Sequence, residues 1–300
     1  MKKHTYSELI AGLKTLDPYL SSIGLKIKPS DRVHQAISQL ETVNAALEKP
    51  NFAETVRQVD KKGSFLLSHV ELAELAEVIK FAKTQDQAIA KSKMIKILNG
   101  PLVTARETAT NSEARNTVFE LSLGSRLSRC GFKAKLKENP DLIATRHGRK
   151  YFIQAKRVYS ENGIEKNISK AYTQLKRDLD KKDGNHFGII AISVTRALTD
   201  GDKLLEAGSE KSGLIRLDAE LKNLIDKYKH CWNRIPERNI VAVILQISCP
   251  SFIIEERIYT LATYLTLTNV HPLSGICDGG RNTRIFQTFH NDFISLKHFQ

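Results

Sequence analysis

Residues Asn139 to Arg157, NPDLIATRHGRKYFIQAKR, set a carboxylate, an amide and an ammonium at positions that can all face one way. Alternating apolar runs flank His147-Gly148, and Gly148 tolerates the positive φ that a two-residue hairpin turn requires. A turn there places Asp141 directly opposite Gln154, and opposed residues share a face with Cβ atoms about 5 Å apart. Lys156 stands two residues beyond Gln154 and points to the same side. The other face, with Leu142, Ile153 and Tyr151 or Phe152, is apolar and needs a cover. A polar set of this kind is costly to bury unless its members satisfy one another or a ligand. Hard oxygen donors beside an ammonium suit a small divalent cation next to an anionic substrate.

The elements that would hold this hairpin can be read from periodicity. Residues 1 to about 110 read as helices only. SDRVHQAISQLETVNAALEK carries Val33, Ala36, Ile37, Leu40 and Val43 at helical spacing behind Ser30 and Asp31. SFLLSHVELAELAEVIKFAK repeats the pattern with Leu72, Leu75, Val78 and Ile79. QAIAKSKMIKILNG stops on Asn99-Gly100-Pro101. NTVFELSLGSRLSRCGF predicts an amphipathic helix ended by Gly131. Strand and helix patterns then alternate. DLIAT, KYFIQAKRV, HFGIIAISVT and NIVAVILQIS read as strands, with NISKAYTQLKRDLDK and RLDAELKNLIDKYKHCW as helices between them. ERIYTLATYLT is expected to be a further helix and TRIFQTF a late strand. The fold class expected is α/β: a three-layer α/β/α core with a mixed central sheet, preceded by an all-α N-terminal region. The sheet must be mixed because the first two strands are too close for a crossover helix. The division expected is a helical domain over 1–110, for recognition or interaction, and an α/β domain over 111–300.

Pro140-Asp141 followed by Gln154-Ala155-Lys156, with Glu120 on the preceding helix, resembles the PD-(D/E)XK, or restriction-endonuclease-like, nuclease superfamily. The resemblance covers roughly Asn116 to Thr195. It implies a metal-dependent endonuclease hydrolysing DNA phosphodiester bonds, of a restriction or anti-phage defence type. It further implies Mg²⁺, with Mn²⁺ as a substitute, and double-stranded DNA as partner. A divalent cation lowers the pKa of a bound water and neutralises charge developing on phosphorus. The implied catalytic set is Glu120, Asp141, Gln154 and Lys156. Asp141 would be the principal metal ligand, with the Gln154 amide oxygen, the Ala155 carbonyl and Glu120 completing the set. Lys156 would hold the attacking water or stabilise the pentavalent phosphate. The sequence departs from the family's usual pattern at Gln154, where most members carry glutamate, so the site has one negative charge fewer. The expectation is that the amide oxygen faces the metal, so that Gln154→Glu is tolerated and lowers the metal concentration needed; if the NH₂ instead donates to a phosphate oxygen or to Asp141, the change is harmful.

Charge supports a polyanionic partner. The 300 residues hold 46 Lys+Arg against 33 Asp+Glu, a formal net charge of +13. Arg146, Arg149, Lys150, Lys156, Arg157, Lys166, Lys170, Lys176, Arg177, Lys181 and Lys182 cluster around the hairpin. Arg157, Lys170, Gln174 and Arg177 are the candidate DNA contacts, a solvated helix face being the rival reading for Gln174. Cys130, Cys231, Cys249 and Cys277 are scattered without zinc spacing, which fits reduced thiols and a cytoplasmic location. No run is apolar enough to span a bilayer. CDGGRNTR at 277–284 reads as a surface turn, and FHNDFISLKH lacks the pattern around a metal-nuclease histidine. Two other functions stay open: a nuclease-fold nucleic-acid-binding protein without catalysis, and a basic protein-interaction module. A homodimer or a defence-system partner protein is compatible with each.

Overall fold

A computed structural model describes residues 6–46, 49–59, 64–101, 107–108, 110–180, 184–199, 205–233, 235, 239–255, 258–269 and 279–294. Cys277, Asp278, Lys181, Lys182 and His298 lie outside the described residues. Among the described residues, seven helices precede the first strand: α1 (Tyr6–Lys14), α2 (Leu16–Ser22), α3 (Arg32–Ala46), α4 (Phe52–Val59), α5 (Ser64–Ala82), α6 (Gln87–Leu98) and α7 (Glu113–Arg129). The helical stripes read from the sequence face inward. Val33, Ala36, Leu40 and Val43 of α3 and Leu72, Leu75, Val78 and Ile79 of α5 are all buried, and α3 packs on α1, α4 and α5. The Asp86 side chain caps α6 by accepting from the amides of Ala88 at 3.0 Å and Ile89 at 3.1 Å.

The remaining elements are β1 (Lys133–Leu136), β2 (Leu142–Arg146), β3 (Arg149–Arg157), α8 (Ile164–Leu179), β4 (His186–Ser193), α9 (Thr195–Thr199), β5 (Leu205–Ala207), α10 (Glu210–Lys227), α11 (Lys229–Asn233), β6 (Ile240–Ile253), β7 (Ile258–Asn269) and α12 (Gly279–Ile294). They build a seven-stranded sheet in the order β1-β2-β3-β4-β6-β5, with β7 also paired to β6. The sheet is mixed: β1, β2 and β3 run antiparallel, while β3–β4, β4–β6 and β5–β6 are parallel pairs. Helices lie on both sides, so the central strands are covered on both faces and read as nearly continuous apolar runs. Phe187 and Ile189 to Ile192 of β4 and Ile240 to Leu245 of β6 are all buried. By internal packing the chain divides into two compact units. One comprises residues 1–122, 199–210 and 249–262, and the other 123–198, 211–248 and 263–300.

Two expectations for the C-terminal third are corrected. ERIYTLATYLT, expected as a helix, forms β7 from Ile258 onward. Its β-branched and aromatic content favours a strand, and the short link after β6 leaves no room for a crossover. TRIFQTF, expected as a strand, lies within α12, where Ile285, Phe289 and Phe293 are buried at four-residue intervals. Gly279 to Arg284 accordingly open a helix, where a surface turn was expected. The short strands β1 and β5 were not anticipated; four and three residues are too few for a visible alternation.

Candidate active site

The site begins with the turn. His147 has φ 49° and Gly148 φ 71°, the paired positive values of a two-residue hairpin turn whose twist matches its strands. The ladder runs from Arg146 opposite Arg149 to Leu142 opposite Ile153. That is the register expected from the sequence, and one step further sets Asp141 against Gln154.

The tip is tethered from outside the hairpin. The Arg146 guanidinium donates to the Cys130 carbonyl, pairs with Asp292 of α12 at 3.1 Å and lies over the Phe132 ring at 5.3 Å. His147 sits 3.3 Å from the second Asp292 oxygen. Gly131, at φ 80°, turns the chain out of α7 in a conformation that favours glycine, and a Cβ there would displace the Arg146 guanidinium. Phe132, Tyr151, Phe187 and Phe289 pack as a continuous ring cluster, with centroids 5.0 to 6.0 Å apart. Burial pushes the Tyr151 hydroxyl above its ordinary pKa, with Arg149 pulling the other way. Burial likewise takes the Cys130 thiol up to about 11 in spite of Arg126, Arg129 and Arg146.

At the far end of the hairpin, the Asp141 Oδ2 atom gathers donors. Gln154 Nε2 donates to it at 2.6 Å and the Ala155 backbone N–H at 2.8 Å, while Lys156 Nζ stands 3.9 Å away. Asp141 is 8% and Gln154 1% exposed, so these contacts act in a low-dielectric setting where charge-assisted bonds are strong. An ionised carboxylate only accepts, so the glutamine must present its NH₂ to Asp141 and turn its oxygen elsewhere. That oxygen, Gln154 Oε1, is buried with no hydrogen-bond partner. Leaving such an acceptor unmet costs about 1–3 kcal/mol. The glutamine therefore fills the donor role toward Asp141 and still presents an oxygen. Of the two arrangements that the sequence sets against each other, the NH₂ donating to Asp141 is the one the structure has.

The other expected residues fall into different settings. Glu120 on α7 forms a direct ion pair with Lys93 of α6, both nearly buried, with side chains 13% and 10% exposed. Lys93 was missed in the sequence, although a lysine within the inward stripe Ala90, Met94, Ile97 of α6 is a readable signal. Arg157 ends β3 opposite Ser193. Lys170 and Arg177 are exposed on α8, whose buried stripe is Ile164, Ile168, Ala171, Leu175 and Leu179. Gln174 is half-buried, and its Oε1 is buried without a partner, as is Asp178 Oδ2 one turn on. Burial raises the Asp178 carboxyl, against the opposing pull of Arg177. Arg146, counted in the basic cluster, is engaged by Asp292.

The donor set at Asp141 fits a hard divalent cation. It offers a carboxylate, an amide oxygen lacking any partner, and a lysine close enough to balance the carboxylate in the cation's place. No helix among the described residues is long and apolar enough to cross a membrane. Cys130, Cys231 and Cys249 are buried thiols. Compared with known proteins, the chain matches no protein-family model, no curated protein and no solved structure.

Proposed function

We propose that this protein is a Mg²⁺-dependent endonuclease acting on DNA, with the β2–β3 hairpin as its catalytic element. The observation that carries the reading is the buried, partnerless Gln154 Oε1 beside the triply approached Asp141 carboxylate. A buried acceptor with no protein donor leaves room for a cation or a water, and the adjacent carboxylate favours the cation. Bound there, Mg²⁺ would supply a water of lowered pKa and neutralise the charge that builds on phosphorus. Asp141 and Gln154 would hold it. The Ala155 N–H and the Gln154 NH₂ fix the Asp141 carboxylate before any ligand arrives, so little ordering remains at the moment of binding. Lys156, relieved of part of its pairing with Asp141, would orient the attacking water or donate to a phosphate oxygen. Arg157, Lys170 and Arg177 would contact the DNA backbone. A restriction or anti-phage role follows from the resemblance at the hairpin.

The second reading, a nuclease-like binder without catalysis, draws on Gln154 itself, because an amide in place of a carboxylate weakens cation attraction. One experiment separates the two. The full chain is expected to nick or cut double-stranded DNA with Mg²⁺ or Mn²⁺ and to stop on addition of EDTA. Lys156→Ala is expected to lose cleavage while keeping DNA binding that falls steeply with salt. Wild-type binding without cleavage in either metal would favour the binder, and full cleavage by Lys156→Ala would remove the site.

A further inference from the structure

A second group of metal-binding side chains lies away from the hairpin. Glu165 in the first turn of α8 and His230 and Cys231 in α11 bring a carboxylate, an imidazole and a thiol together, with all three ligand atoms within 4.8 Å of one another. Cys231 Sγ is 3.2 Å from His230 Nε2, and Glu165 Oε1 is 3.9 Å from that same nitrogen. We propose that these three residues form a binding site for a soft divalent cation of the zinc class. In a tetrahedral zinc centre with bonds of about 2.0–2.3 Å, ligand atoms stand about 3.4–3.6 Å apart. The observed spacings lie on either side of that range. Glu165 and His230 are exposed and Cys231 is buried, so the first two can adjust by small rotations around a fixed sulfur.

The scaffold for the site is in place without the metal. Lys227 pairs with Glu161 at 2.6 Å, and the Tyr228 hydroxyl donates to the Glu161 carbonyl at 3.1 Å. These contacts hold the entry to α8 against the junction of α10 and α11. Trp232 Nε1 donates to the Ile225 carbonyl at 2.9 Å, which fixes α11 on α10. The ligands are therefore supplied by two segments that already touch. Preorganisation of this kind is what separates a site from a chance meeting of polar side chains.

Ligand chemistry sets the metal. Thiolate and imidazole favour Zn²⁺ over Mg²⁺, while the hairpin offers oxygen ligands only. The proposal is thus independent of the catalytic reading. Binding would deprotonate the Cys231 thiol and release that proton to solvent. Three protein ligands leave a fourth position for water. The ion would clip the start of α8 to α11, and α8 carries Lys170 and Arg177 further along.

The test uses the full chain, stripped of metal by a chelator and titrated with Co²⁺ in the absence of DNA. One Co²⁺ per chain is expected, with a sulfur-to-cobalt charge-transfer band and tetrahedral visible absorption, both displaced by Zn²⁺. Cys231→Ser should abolish the charge-transfer band. His230→Ala and Glu165→Ala should each weaken Zn²⁺ binding by about tenfold or more. Because those two positions are exposed, they keep the test alive if the buried cysteine variant fails to fold. Zn²⁺ should raise the Tm of the wild type and not that of the variants. Asp141→Asn, at the hairpin, should leave the cobalt spectrum unchanged. Binding of less than one Zn²⁺ per chain at micromolar metal, or binding unaltered by all three substitutions, would overturn the proposal and leave a thiol–imidazole hydrogen bond in its place.

Discussion

Two lysine–carboxylate pairs in this chain solve the same electrostatic problem in opposite ways. Glu120 meets Lys93 head-on, charge against charge between two helices. Asp141 keeps Lys156 at 3.9 Å and takes its close contacts from an amide and a backbone N–H. In the first pair the cation itself is the close partner. In the second, neutral donors orient the carboxylate and the cation stands off, beside an acceptor that has nothing to accept. In one pair the opposite charge does the orienting and in the other neutral donors do it, so removing the lysine should disturb the two carboxylates unequally.

Removing the oriented acid should do the most damage. Asp141→Ala withdraws the acceptor from Gln154 Nε2 and the Ala155 N–H together, at a site only 8% exposed. A loss of about 2–4 kcal/mol in urea unfolding is expected, together with loss of cleavage. An unfolding midpoint equal to wild type would show that the donors find water instead. The helical pair ranks next. Lys93→Met takes the cation from Glu120 at a nearly buried position and should cost about 2 kcal/mol. Adding Glu120→Gln in that background should recover most of the stability, because no unpaired charge is then left between the helices. No recovery would show that the stem of Lys93, and not its charge, supports the contact. The smallest effect in stability is expected from Gln154→Glu, which sets a second carboxylate against Asp141 where an NH₂ donated. Without a divalent cation the variant should lose about 1 kcal/mol at neutral pH, and Mn²⁺ should restore it. The opposed carboxyls raise a folded-state pKa, so the penalty is absent at low pH and appears as pH rises through that value. Urea unfolding at several pH values, with and without Mn²⁺, reads both effects.

Much of the hairpin was legible in the sequence because its determinants are local. A glycine at the turn fixes the register, and the register fixes which side chains share a face. The mixed sheet followed from the spacing of apolar runs. What escaped depends on long-range partners or on close rivals. The place of Lys93 in the inward stripe of α6 is readable, but its partner Glu120, 27 positions on, is not. Glu165 and the His230-Cys231 pair meet only where the first turn of α8 comes near α11, and no local spacing announces it. The exchange of strand and helix at β7 and α12 has another origin. Thr-rich IYTLATYLTLT carries apolar residues at intervals compatible with either period, and contact with β6 decides between them.

The tether at the hairpin tip has a consequence for biosynthesis. Arg146 and His147 are held by Asp292, and the Cys130 thiol donates to the Phe293 carbonyl across 163 positions of chain. The hairpin itself is local and can close within microseconds, but its anchor emerges from the ribosome many seconds later at ordinary elongation rates of about 5–20 residues per second. A nascent chain displaying β2 and β3 thus has the hairpin without the anchor at its tip. The hairpin tip gains this anchor as a late event in translation, once α12 has been made.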